Sequence, residues 1–233
     1  MSFLGSPALA FQPSAPNPWF SWHYIQQNAD QILTDTRFHF ITTIEAVALA
    51  MVVAIPLAVL CYWVRPLGAP ILALSGVLYT IPSLALFAFL APFVGIGVTT
   101  ILIGLVIYAL LLVIQNTLTG LQQVPEEVRD AARGMGYGRF GMLWHVELPL
   151  ALPGIITGIR LATVSTVALL TVGVIVGQGG LGQLIFSGLH TSLNRAAIAT
   201  GAILCVALGL LLDIAIALIG RLVTPWARRR AAS

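Results

Sequence analysis

Three charged side chains, Glu45, Arg160 and Asp213, stand inside long apolar runs. A denser group, Glu126, Glu127, Arg129, Asp130, Arg133, Arg139 and Glu147, stands between two such runs. Charges inside such runs could serve a substrate pathway or gate, or pair as a structural salt bridge between helices. Lysine-dependent chemistry is excluded more firmly. The chain has no lysine, which rules out a phosphate-cradling P-loop, whose lysine must reach the nucleotide, and Schiff-base catalysis. A serine–histidine or metal-dependent intramembrane hydrolase would need histidine at midspan. His145 instead lies in the charged segment, His23 and His39 near the outer surface, and His190 in an outer loop. Cys61 and Cys205 fall in apolar runs without metal spacing and read as buried free thiols.

The elements that carry these residues follow from composition. Of 233 residues, 58% are hydrophobic and 8% charged, with a mean hydropathy of +0.97; soluble domains carry about 25% charged residues. Apolar blocks of about 20 residues are the length of spanning helices, whereas a barrel would show ~10-residue alternating segments. The expected fold class is all-α and polytopic, with about five transmembrane helices at 40–63, 69–92, 98–118, 153–176 and 196–223. Pro56 and Pro82 lie inside the first two, and Gly95 and Gly97 mark a tight turn before the third. Residues 1–38 form an outer lead in which Trp19, Trp22, Ile25, Ile32 and Leu33 fit an interfacial helix loosely, with a partly disordered tail as the alternative. No basic region followed by an apolar one opens the chain, so no secretory leader is expected. Residues 39–223 make the membrane domain, with a wet loop at 121–152, and 224–233 make a basic tail.

Five spans put the termini on opposite sides. With the wet loop in the cytoplasm, eight arginines lie inside: Arg65, Arg129, Arg133, Arg139, Arg221, Arg228, Arg229 and Arg230. Only Arg37 and Arg195 lie outside. Basic residues set orientation, so the N-terminus is expected outside and the C-terminus inside. The same rule accounts for the net charge of +3 without invoking nucleic acid.

The segment 125–155 holds half of the acidic residues and must sit in water. Pro125 suits the first turn of a helix, and Glu126, Glu127 and Asp130 follow at the positive end of its dipole. Ala131 and Ala132 favour helix, Arg133 lies further along, and Gly134, Gly136 and Gly138 end it. Phe140, Met142, Leu143 and Trp144 then form an amphipathic ramp, with Pro149 and Pro153 framing the return to the membrane. A short helix with small side chains and flanking charges can lie in a partner's groove.

Asp130-Ala131-Ala132, Gly136 and Val146-Glu147-Leu148-Pro149 together resemble the EAA loop of binding-protein-dependent ABC importer permeases. Asp130 replaces the usual Glu and Val146 the usual Ile. The resemblance implies a methionine-importer-like permease fold and a coupling helix that docks on a separate ATPase. Glu126, Glu127, Asp130, Ala131, Ala132, Arg133, Gly134, Gly136, Leu148 and Pro149 would make up that loop, with Asp130, Ala131, Ala132 and Gly136 in direct contact. Thr80-Ile81-Pro82-Ser83-Leu84-Ala85-Leu86, Gly158-Ile159-Arg160 and Gly179-Gly180-Leu181-Gly182 further resemble permeases for glycine betaine, carnitine, choline and related osmoprotectants. The implied partners are two ATPase subunits, a second permease subunit, identical or homologous, and an external binding protein. ATP and magnesium would be bound by the ATPase, with no cofactor in this chain.

Polar groups in spans face cavities or other helices. Tyr79, Thr80, Ser83, Asn116 and Thr117 are therefore candidates to line a path, and Gly179, Gly180 and Gly182 to shape an outer gate; a flexible outer turn is the alternative. Arg160 and Asp213 come to ~10 and ~15 Å from the cytoplasmic end, close enough in depth to pair. Other expectations stay open: a permease for another small solute such as methionine, or, more distantly, a passive channel or an intramembrane enzyme.

Overall fold

The computed structural model describes residues 17–226 apart from Gln178 and Ser192. The start of the outer lead and the tail bearing Arg228, Arg229 and Arg230 lie outside the described residues. Within them all regular structure is helical: α1 Trp22–Gln27, α2 Ala29–Trp63, α3 Arg65–Thr80, α4 Ser83–Val94, α5 Val98–Gln122, α6 Glu126–Gly134, α7 Arg139–Met142, α8 Leu148–Gly173, α9 Leu181–His190 and α10 Arg195–Val223. A π-helical turn, Leu143–Glu147, joins α7 to α8.

Helix α5 is the centre, with α2 on one side and α8 on the other. Alanines every four residues make the first contact possible. Ala46, Ala50, Ala54 and Ala58 are all fully buried, because that spacing puts them on one stripe of α2. Three of them pack on Ala109, Val113 and Ile114 of α5. The second contact uses glycine. A Cβ on Gly120 would come within 2.8 Å of the Ala151 carbonyl, and one on Gly154 within 2.9 Å of the Asn116 carbonyl. Backbone therefore meets backbone, the usual way small residues join helices where no water drives them together.

Four helical stretches are long and apolar enough to cross a membrane, and a fifth crossing is counted if α3 and α4 form one bent span. That pair occupies the place of the second span expected at 69–92 with Pro82 inside it, and it is broken at that proline. The two helices meet at 97°. Pro82 lacks an N–H and disfavours helical backbone at the residue before it, and Ile81 is extended. The freed Ile81 carbonyl accepts a hydrogen bond from the Tyr108 hydroxyl, which keeps the break satisfied away from water.

Three further differences have local causes. The first long helix begins at Ala29, well before residue 40, and its 35 residues reach ~52 Å, beyond the ~30 Å of a hydrocarbon core. The fourth begins in the wet segment, since Arg139–Gly173 is continuous and Pro149 and Pro153 lie within it rather than at its start. The glycine-rich stretch after it is no loose turn but contains α9. A Cβ on Gly182 would collide with the Thr171 carbonyl, so that glycine is what lets α9 lie against α8.

Candidate functional site

The wet segment folds as a short, well-terminated helix. Pro125 sits one residue before α6 with extended backbone, and Glu126 and Glu127 occupy the first turn and Arg133 the last, each favourable for the helix dipole. Termination is by Gly136, whose φ is +86°. The Tyr137 N–H donates to the Ala132 carbonyl and the Gly136 N–H to the Arg133 carbonyl. These are the paired bonds of a Schellman cap, and they require a left-handed residue at position 136. Gly134 is helical with open space around it, so it carries no such demand.

Around α6 the charges pair locally. Arg129 donates to Glu126 at 2.7 Å, and Arg133 donates to Glu126 at 3.1 Å and to Asp130 at 2.7 Å. The hydrogen bond from Arg129, followed by that from Arg133, holds the Glu126 carboxyl below the usual range; Glu126 in turn, with Asp130, raises Arg133. Glu127, Asp130, Ala131 and Gly134 remain exposed, as do Met135, Phe140 and Trp144. Ala132 does not. It is 1% exposed and seats α6 on its own chain, which corrects its expected place in direct contact with a partner.

Beneath α6 lies a polar knot that spacing alone did not single out. The Tyr62 hydroxyl donates to Glu147 at 2.6 Å, and Arg129 Nε lies 3.6 Å from the same carboxylate oxygen. The Arg129 guanidinium also donates to the Leu121 carbonyl and stands over the Tyr62 ring. Ends of α2, α5 and α6 and the π-helical turn are thereby joined through one arginine and one buried glutamate. The available signal was an acid, Glu147, inside an otherwise apolar ramp. Leu148 packs with Leu121, Leu143, Ala151 and Ile155. Pro149, which has no N–H to give to a helical carbonyl, stands two positions after Glu147, the last residue of the π-helical turn, where such a defect is absorbed.

Of the intramembrane charges, two meet. Arg160 Nε donates to Asp213 Oδ1 and Nη2 to Oδ2, both at 2.8 Å. The side chains are 39% and 26% exposed and border an apolar groove of about 580 Å³ with Leu161, Val164, Val206 and Leu210. Glu45 stands apart on the outward face of α2, beside the exposed Ile41, Ile44 and Leu49.

The candidate path residues separate into two places. Tyr79, Thr80 and Ser83 gather at the α3–α4 break, where Tyr79 meets Tyr108 edge-on at 5.8 Å. Asn116 lies two turns along α5 from Tyr108, ~12 Å away, and donates back to the Leu112 carbonyl. Thr117 is fully buried, which removes it from any open path. At the far end of the bundle Gly179 and Gly180, both with positive φ, lie on Phe38 and His39. His39 is fully buried; its Nδ1 accepts from the Leu181 N–H, the first of α9, and its Nε2 faces the Val167 carbonyl at 3.0 Å. Asp35, one turn earlier on α2, is also buried, with Oδ2 unpartnered among the described residues. Neither was singled out as a site residue from sequence, because a lone His and Asp in an aromatic lead give no spacing signal.

This arrangement of spans and loop can be set beside known proteins. The chain is 33% identical over 207 residues to the glycine betaine/carnitine/choline transport system permease protein OpuCD of Bacillus subtilis, covering 89% of this chain and 90% of that one. It is 36% identical over 196 residues to the osmoprotectant import permease protein OsmW of Salmonella typhimurium, covering 82% and 91%. A solved structure of the MetNI methionine ABC transporter in an inward-facing conformation superimposes with a TM-score of 0.76 at 25% identity, over 88% of this chain and all of that one. Residues 32–228 match the binding-protein-dependent transport system inner membrane component, and the chain is therefore a member of that family, a multi-pass permease subunit of the inner membrane.

Proposed function

We propose that this chain is the transmembrane subunit of an ATP-driven importer for a small osmoprotectant, such as glycine betaine, carnitine, choline or a similar quaternary amine. A separate binding protein delivers the solute from outside, and two ATPase subunits dock on the α6 loops of two permease subunits. The observation that carries the solute class is full-length similarity to permeases named for these compounds in both Bacillus subtilis and Salmonella typhimurium. The methionine transporter supports the fold rather than the solute.

Coupling to the ATPase rests on α6. Its outward face offers Glu127, Asp130 and Ala131 with Met135 beside them, while Ala132 and Arg129 hold its inner face to the bundle. A docking helix must be rigid at its base and exposed at its top, and α6 is both. The N-terminus is outside and the C-terminus inside in this reading, which puts α6 in the cytoplasm. The ATPase subunits hold ATP and magnesium, and closure between them moves the spans between outward- and inward-facing states.

The test is uptake by vesicles carrying this permease with its cognate ATPase and binding protein. ATP-dependent accumulation of labelled choline, carnitine or glycine betaine, with none of methionine, is expected. Accumulation of methionine alone overturns the solute class, and solute entry at equal rate without ATP overturns the importer.

A further inference from the structure

The end of the bundle that carries α6 encloses an open cavity of about 950 Å³, within the ~300–1,000 Å³ typical of ligand sites. Four arginines line it, Arg65, Arg129, Arg133 and Arg139, against two carboxylates, Glu126 and Glu147. Two of the arginines are already engaged: Arg129 and Arg133 pair with Glu126, and Arg133 also with Asp130. The other two have no carboxylate partner among the described residues. Arg139 donates only to the Trp63 carbonyl at 3.3 Å and lies 4.6 Å over the Trp63 ring. Arg65 is exposed at the start of α3, with no carboxylate bonded to it among the described residues. Counting Asp130, which is bonded to Arg133, four guanidinium groups meet three carboxylates, and the two without a carboxylate partner, Arg65 and Arg139, are exposed.

Its inner wall is different. Cys61, Gly68, Leu72, Leu118 and Met142 line the side toward the spans. Tyr62 and Trp63 mark the level at which α2 leaves the hydrocarbon, where aromatic side chains habitually sit. A ligand for this cavity carries a phosphate for the two unpaired guanidinium groups, which grip phosphate through paired N–H donors. It also carries an apolar body to run down the inner wall.

We infer that this cavity binds the phosphate headgroup of an anionic phospholipid, seated between Arg65 and Arg139 with its acyl chain against the ends of α2, α3 and α5. Basic pockets between spans at the cytoplasmic surface bind acidic headgroups in this way. On α6 the cavity is lined by Glu126, Arg129 and Arg133, with Asp130 bonded to Arg133 at its edge, while Glu127 and Ala131 are not among its lining residues. An acidic lipid there braces the Arg129–Arg133 side of α6 and leaves Glu127 and Ala131 uncovered.

Native mass spectrometry of the purified full chain tests this, reading retained phosphatidylglycerol against phosphatidylcholine through successive detergent exchange. Arg65→Gln with Arg139→Gln lowers preferential retention of phosphatidylglycerol about thirtyfold, and Arg65→Gln alone about fivefold. Because Arg65 makes no bond within the described chain, the single variant remains informative even if the double variant fails to fold. Arg37→Gln with Arg195→Gln removes the same charge at the other end and leaves retention within about twofold. Equal loss in both double variants, or none in Arg65→Gln, overturns the site. Equal retention of phosphatidylglycerol and phosphatidylcholine, with a phosphate adduct that forms in millimolar inorganic phosphate and is lost in Arg65→Gln, assigns the site to free phosphate and overturns the lipid.

Discussion

His39 and Leu181, 142 residues apart, are joined by a hydrogen bond from the Leu181 N–H to the imidazole Nδ1. Nε2 then carries the proton and donates to the Val167 carbonyl. One neutral histidine in α2 therefore caps α9 and holds α8 at the same time. His39→Ala leaves a buried donor and a buried acceptor unpaired, at about 1–3 kcal/mol each. Thermal unfolding of the detergent-solubilised protein is expected to fall by about 5–10 °C. An unchanged midpoint would show that water replaces the ring.

Arg160 and Asp213 are expected to behave as a unit. Removing either leaves a charge facing an apolar groove, whereas exchanging them, Arg160→Asp with Asp213→Arg, restores complementarity. A double-mutant cycle on unfolding should show a coupling of about 1 kcal/mol or more. Additive losses would mean that the bidentate geometry contributes nothing to assembly.

Gly136 and Gly134 differ by two positions and should differ sharply in tolerance. Gly136→Ala forces a Cβ into left-handed backbone, at a cost of about 1–2 kcal/mol. It should loosen the Schellman cap and weaken co-purification of the ATPase. Gly134→Ala adds a helix former in open space and should leave co-purification intact. Equal behaviour of the two variants would sink the cap as the reason for the glycine.

The α6 ion pairs set a pH dependence of definite sign. The bonds from Arg129 and Arg133 lower the folded-state pKa of Glu126 from its ordinary 4.5. Their support for α6 is therefore fully present above about pH 4.5, and is lost as pH falls through the lowered value. The protection factors of the Arg129 and Arg133 amides against hydrogen exchange should stay constant from neutral pH down to that point and fall only below it. Glu126→Gln should abolish the acid transition.

Much of the fold was legible because hydrophobic length is a strong signal: the stretches of α2, α5, α8 and α10 each hold a long apolar window with few charges. The α3–α4 break was less so. Pro82 was visible, but spanning helices tolerate proline when neighbours satisfy the freed carbonyl, and the Tyr108 hydroxyl that does so lies 27 residues away. Helix α9 was hidden for a related reason. Glycine at 179, 180 and 182 reads as loop, whereas here two of the three make the turn and the third permits contact with α8. At the wet segment, the helix and its glycine stop could be read from local residue types. The Tyr62–Glu147 bond spans 85 positions and could not, and neither could the inward direction of Ala132, which depends on what lies under α6.

The continuity of Arg139–Gly173 has a mechanical consequence. Thirty-five helical residues form a rod ~52 Å long, with one end in the wet segment beside α6 and Arg160 well along its shaft. A π-helical turn interrupts that rod, and Glu147 within it accepts a hydrogen bond from the Tyr62 hydroxyl. No loop lies between the wet segment and the level of the Arg160–Asp213 pair, so the two are connected by helix alone.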